Sequence, residues 1–228
     1  MKAKFVRTKN VKKFITLINN LTNRAKGVPG MALVFGEPGL GKTQAALWWA
    51  AKNRDEILYI RAKQSMTPRW LLEEIVKEQD EQPLYKCSDL FDQIVKNLIK
   101  NPKTIIVDEI DYLATETCAI EMLRDIHDRT HTPIILIGMS LADKKLKRYK
   151  HLYDRISEVL QFESFSPEDV KSLIEELSEV KISDEAIDYI HKTGNRFRQI
   201  VKLINKSEDF ARANDLSLIG INAVKKFI

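Results

Sequence analysis

Met31-Ala-Leu-Val-Phe-Gly-Glu-Pro-Gly-Leu-Gly-Lys-Thr43 decides the fold of this chain. Its second half satisfies the pattern G-x-x-x-x-G-K-[ST], with Gly36, Gly41, Lys42 and Thr43 at the fixed positions, and its first half is an apolar run of strand length. Gln44 to Asn53 follows, rich in Ala and carrying Leu47, Trp48 and Trp49, which reads as a helix. Strand, glycine loop and helix in that order form a phosphate cradle. Gly36, Gly39 and Gly41 let successive backbone N–H groups curl around phosphate oxygens, and the helix aims its positive end at the same atoms. Lys42 is placed to reach the outer phosphates and the Thr43 hydroxyl to ligate Mg²⁺. The loop and its exit, Gly36, Glu37, Pro38, Gly39, Leu40, Gly41, Lys42, Thr43 and Gln44, are therefore the expected nucleotide contacts.

Reading outward, an amphipathic helix precedes the loop, with Val11, Phe14, Ile15, Ile18 and Leu21 at helical spacing, and Gly27-Val-Pro-Gly30 turns into the first strand. Ile57–Ile60 reads as a second strand, with helices at about 68–79 and 88–100, Ser88 being the expected cap of the latter. Thr104–Asp108 and Pro133–Ile137 are buried strands separated by a helix at about 115–129, and a last strand lies near 158–162. Continuous apolar strands alternating with helices predict an α/β fold, a parallel five-stranded sheet covered on both faces. After Phe165 the pattern changes. Ser166-Pro-Glu-Asp169 starts a helix, further helices follow without a strand signal, and the last is expected from about Ser217 to the end. The division expected is 1–165 for the nucleotide-binding part and 166–228 for a small all-helical lid.

Asp108-Glu109, at the end of an apolar strand, places two acids in the crevice where open parallel sheets bind ligands. Asp108 would hold the Mg²⁺ and its water shell; Glu109 would polarise an attacking water, which marks a hydrolase rather than a phosphotransferase. Ser140, after the next strand, reads either as a sensor of the γ-phosphate or as a helix cap. Arg155 precedes the last strand, where an arginine can reach a neighbouring subunit's nucleotide; Arg148 is its rival. In Thr193-Gly-Asn-Arg-Phe-Arg198, Gly194 ends one helix and Asn195 is the expected cap of the next. Arg198, or alternatively Arg196, then sits in a first turn that disfavours cations unless a phosphate is near.

The bulk properties predict a cytoplasmic protein. The start has no apolar leader, no run spans a bilayer, and Cys87 and Cys118 follow no metal spacing. Net charge is +5, and residues 1–36 hold eight basic residues and no acidic one, which suits a polyanion partner or equally a solvated surface.

Together these motifs resemble the AAA+ class of P-loop ATPases: phosphate loop at 36–43, acids at 108–109, sensors near Ser140 and Arg198, a trans-acting arginine near Arg155, and a helical lid. Within it the chain looks most like the MuB and TnsC group of transposition regulators. That resemblance implies ATP and Mg²⁺ as cofactors, a homo-oligomeric filament or ring with nucleotide between subunits, duplex DNA bound without sequence preference, recruitment of a transposase, and no membrane. Helicase loaders and secretion ATPases share the same fold. About 30 residues precede the first strand, too few for the separate DNA-binding domain of MuB itself, so DNA contact is expected from the ATPase part. Arg61, Lys63 and Arg69, after the second strand, are the candidates. Lys144, Lys145, Lys147, Arg148 and Lys150 form a second basic cluster that also reads as a solvated helix face.

Overall fold

The structure, a computed structural model, describes residues 1–194 and 196–226. They form two compact units. The larger comprises Phe14–Pro38 and Lys42–Phe162. Its elements begin with α1 (Lys9–Thr22, whose first turn belongs to the other unit), β1 (Met31–Gly36), α2 (Lys42–Lys52) and β2 (Ile57–Arg61). α3 (Pro68–Glu78), α4 (Cys87–Lys100), β3 (Thr104–Asp108) and α5 (Thr117–Thr130) follow, with a short 3₁₀ turn at Ile110–Tyr112. β4 (Ile134–Ile137), α6 (Ala142–Leu146), α7 (Lys150–Tyr153) and β5 (Ile156–Phe162) complete it.

All five strands pair parallel in the order β2-β3-β4-β1-β5. The order explains the sequence pattern. The three central strands are buried nearly throughout, hence their unbroken apolar runs, whereas the edge strand β5 alternates between half-buried and exposed positions. One apolar core joins Met31 and Leu33 of β1, Ile105 and Val107 of β3 and Leu136 of β4 to Leu71, Leu98 and Leu123 of the covering helices. Since the strands are parallel, the phosphate loop, Asp108 and the segment after Ile137 all leave the same end of the sheet.

The helix expected from Ser88 begins one residue earlier. Lys86 occupies the cap position without a side-chain bond, and the Ser88 hydroxyl donates instead to Asp89 (3.1 Å). α3 is capped by Thr67, whose Oγ1 accepts the Trp70 N–H at 3.2 Å, with Pro68 in the first turn.

The smaller unit gathers Met1–Lys13, Gly39–Gly41 and the residues from Glu163 on. It contains α8 (Pro167–Leu177), β6 (Lys181–Ile182), α9 (Asp184–Thr193), α10 (Phe197–Ala213), β7 (Leu218–Ile219) and α11 (Ile221–Val224). Ser166 and Asp169 close a reciprocal capping box on α8, as their spacing predicts. Two expectations need correction. The unit is not all helical, because β6 and β7 pair as a parallel two-stranded ladder. The last helix is a single turn from Ile221, since Leu218 and Ile219 are taken by that ladder. Asn195, the expected cap of α10, lies outside the described residues; Arg196 holds the cap position. Val6 packs into this unit's core with Phe165, Val170 and Leu173, and Lys9 N–H donates to Asp169 at 2.9 Å. The amino-terminal segment is thus an integral part of it.

Candidate active site

The phosphate loop joins β1 to α2, and its bends rest on Gly39 (φ +85°) and Gly41 (φ +91°), a conformation other residues adopt only with strain. Lys42 Nζ donates to the loop's own carbonyls at Gly36 (2.7 Å) and Glu37 (2.9 Å). One ammonium donor of three remains for an incoming oxygen. Burial lowers the Lys42 pKa, opposed by the fields of Asp108, Asp111 and Glu37. A half-buried cation in the field of three carboxylates suits a site completed by an anion and a cation together.

Asp108 ends β3 with its side chain buried and doubly held: Oδ1 accepts the Glu109 N–H and Oδ2 the Tyr59 hydroxyl, each at 2.8 Å. Tyr59 projects from β2, and its hydroxyl is kept protonated far above its usual range by burial and by Asp108. Glu109 adopts a left-handed conformation (φ 56°, ψ 40°), which costs an L-residue about 1–2 kcal/mol. Such strain marks positions where the surroundings over-determine the backbone. The Glu109 carboxylate pairs with Arg61 Nη2 at 2.6 Å, and Arg61 is the register partner of Asp108 across the ladder.

The segment after β4 is tied to the same corner by Asp111, whose Oδ2 accepts the Met139 N–H (2.5 Å) and whose Oδ1 meets Lys145 Nζ (3.3 Å). Ser140 follows Met139 directly. It does not cap a helix: α6 starts at Ala142 with Leu141 in the cap position and no side-chain bond, so that alternative falls away. Tyr59 and Asp111 escaped the sequence reading because each acts through a long-range contact; the only local trace is the polar Tyr59 and Arg61 alternating in the otherwise apolar β2.

The remaining candidates lie elsewhere. Arg155, just before β5 and so at the opposite end of the sheet from the phosphate loop, forms a bidentate pair with Asp128 (2.9 and 3.1 Å). Arg148 is exposed between α6 and α7. In the smaller unit Phe197 N–H donates to the Gly39 carbonyl at 2.8 Å, and a Cβ at position 39 would lie 3.6 Å from that of Arg196. Arg196 therefore adjoins the loop's middle, whereas Arg198 is exposed in the first turn of α10.

Arg61 ends β2, Lys63 and Arg69 follow it, and Lys144 and Lys145 lie on α6 after β4, with β3 between those strands. Arg69 is a brace: it pairs with Glu73 (2.8 Å), donates to the Tyr85 and Leu84 carbonyls and stacks on the Tyr85 ring. Lys63 Nζ lies 4.8 Å over the Trp70 ring and 3.9 Å from Glu74.

Among the described residues no three His, Cys, Asp or Glu side chains converge as metal ligands. Mg²⁺ needs only one or two protein oxygens when phosphates and water supply the rest. Thr43 and Asp108 provide hard oxygens of that kind, so the site fits Mg²⁺ brought in with a nucleotide, where it would neutralise phosphate charge.

The chain is similar to several known proteins. Residues 25–146, more than half of the sequence, match the family described as AAA domain. The chain belongs to the AAA domain family. A Staphylococcus aureus protein described as a potential ATP-binding protein is 26% identical, over 97% of this chain and 94% of its own length. In structure, the Aeropyrum pernix ORC1 protein in complex with DNA superposes with a TM-score of 0.68 at 15% identity, over 99% of this chain and 65% of its own. The Thermotoga maritima RuvB Holliday junction branch migration motor gives 0.64 at 20%, over 97% and 68%. At such identities the likeness concerns the fold, and the chain spans about two thirds of those proteins. Like them, it is a P-loop AAA protein with a parallel five-stranded sheet flanked by helices. No helix among the described residues is long and apolar enough to cross a membrane.

Proposed function

We propose that this chain is an ATP hydrolase that assembles on duplex DNA in its ATP-bound state and disassembles on hydrolysis, regulating DNA transposition by recruiting a transposase. One observation supports the link between DNA and hydrolysis above the others. Arg61, at the mouth of the basic segment after β2, holds the carboxylate of Glu109. A carboxylate occupied by a guanidinium is a poor base for water; a phosphate backbone that draws Arg61 away leaves Glu109 available. Both partners are partly exposed, so the pair is worth about 1 kcal/mol or less and is readily exchanged.

In this scheme Lys42 and the loop N–H groups take the phosphates, Thr43 and Asp108 the Mg²⁺, and Glu109 the attacking water, with Ser140 beside them. Arg196, adjoining Gly39, is the lid arginine, in preference to Arg198. Arg155 acts on the nucleotide of a second copy, and ATP stabilises the assembly by linkage. Lys63, Lys144 and Lys145 add phosphate contacts that are sequence-tolerant and salt-sensitive.

ATP turnover measured with and without duplex DNA tests the proposal. DNA should stimulate it, and Glu109→Gln should lower turnover by roughly a hundredfold or more while leaving long-lived ATP-bound assemblies on DNA. Rapid disassembly of that variant, or turnover indifferent to DNA, refutes the scheme. The superposition on the ORC1 protein favours a second reading, a replication initiator or helicase loader. Stimulation by a replicative helicase rather than by a transposase selects it.

A further inference from the structure

A cleft of about 680 Å³ opens at the amino-terminal edge of the sheet, far from the phosphate loop. The turn before β1, the end of α5 and the residue before β5 line it, contributing Arg24, Lys26, His127, Asp128, His131 and Arg155. Three fixed cations therefore face one carboxylate, and that carboxylate is already committed to Arg155 through two hydrogen bonds.

Arg24 is the unusual member. Its guanidinium donates to the carbonyls of Leu21 (2.8 Å), Val28 (3.1 Å) and His131 (2.5 Å). Those bonds use three of the five N–H donors a guanidinium carries. No carboxylate among the described residues forms an ion pair with it. It lies flat against the chain at Gly30, where a Cβ would fall 2.3 Å from Arg24 Cζ and displace the guanidinium. Burial opposes its charge and lowers its pKa. A cation held rigidly by neutral carbonyls, half withdrawn from water and lacking a counter-ion, is prearranged for an anion that arrives from outside.

We infer that Arg24 is a second trans-acting cation, gripping with Arg155 the terminal phosphate of a nucleotide bound in the phosphate loop of a second copy of this chain. The inference rests on the oligomeric ATPase reading above. The charge fits that occupant, an anion: Arg24, Lys26 and Arg155 together exceed Asp128 by two positive charges, and Arg155 shares the cleft. Asp128 is then the resting partner of Arg155, displaced when a phosphate enters, whereas Arg24 needs no release.

The test mixes variants so that each subunit lacks a different half of the site. Lys42→Ala removes a subunit's own phosphate grip and leaves its Arg24 intact; Arg24→Gln does the reverse. Each alone should turn over ATP roughly ten- to a hundredfold more slowly than the unaltered protein, and the equimolar mixture should exceed the sum of the two. A merely structural Arg24 cannot be rescued this way. Lys42→Ala mixed with Arg155→Ala is the parallel arm. Recovery there without recovery for Arg24→Gln overturns this inference and leaves the proposed function standing. Unaltered protein that stays monomeric with ATP and DNA overturns both. Loss of duplex DNA affinity in Arg24→Gln, with no recovery in the mixture, assigns the cleft to a DNA phosphate and likewise overturns it. If Arg24→Gln does not fold, Arg24→Lys takes its place: it keeps the charge but not the guanidinium fork, so a severalfold loss recovered in the mixture with Lys42→Ala is expected, and a loss without recovery overturns the inference.

Discussion

The Arg61–Glu109 pair carries a consequence that its 2.6 Å length alone does not convey. Two partly exposed groups bias an equilibrium rather than lock it: about 1 kcal/mol corresponds to a factor of roughly five. Arg61→Ala should therefore raise ATP turnover in the absence of DNA severalfold and shrink the stimulation that DNA provides, as steady-state phosphate release would record. Unchanged basal turnover shows that the pair does not restrain Glu109. At this scale the sequence was legible wherever function is local. Gly36 to Thr43 and Asp108-Glu109 stand out because their chemistry needs fixed spacing. Tyr59, Asp111 and Arg24 do not, because each is defined by a partner 28 or more residues away.

Elements here are joined by polar pins as well as by apolar packing, and His127 is the clearest of these. It is buried near the end of α5; Nδ1–H donates to the Thr132 carbonyl (2.7 Å), and Nε2 accepts the Gly30 N–H (3.2 Å). The Gly30 contact requires an unprotonated Nε2 and so the neutral ring, and burial lowers the His127 pKa. Stability from this depressed pKa is thus fully present above the unfolded value of about 6.5 and declines as pH falls through it toward the folded value. Thermal unfolding midpoints should drop between neutral pH and about 5, and more steeply than in His127→Gln. Parallel slopes in the two proteins discount the pin. The elements themselves were largely readable, since Thr104–Asp108 and Ile134–Ile137 announce buried strands by composition. β6 and β7 were not, because a two-residue strand has no period to detect. Ser88 misled because a serine before an apolar run is a capping signal even when, as here, the helix starts one residue sooner.

For the molecule as a whole, nucleotide binding should register as stability. A ligand at a hundred times its dissociation constant adds about 2.7 kcal/mol, which for a chain of this size raises the melting temperature by roughly 5–10 °C. Mg²⁺-ATP should produce such a shift in the unaltered protein and little or none in Lys42→Ala, as differential scanning fluorimetry would register; an equal shift in both places the nucleotide elsewhere. The expected division after Phe165 assumes that the chain fills one unit before starting the next. Instead Met1–Lys13 groups with the residues from Glu163 on, a relation that no local pattern near Val6 advertises.

That grouping has a temporal side. During synthesis Val6 and Lys9 leave the ribosome well before Phe165, Val170 and Asp169, which receive them and are made only after the whole sheet-forming stretch has been translated. The opening segment must wait through that interval with its apolar side chains uncovered, while the stretch behind it is free to condense. Closing so long a loop makes this docking a slow, late event in maturation.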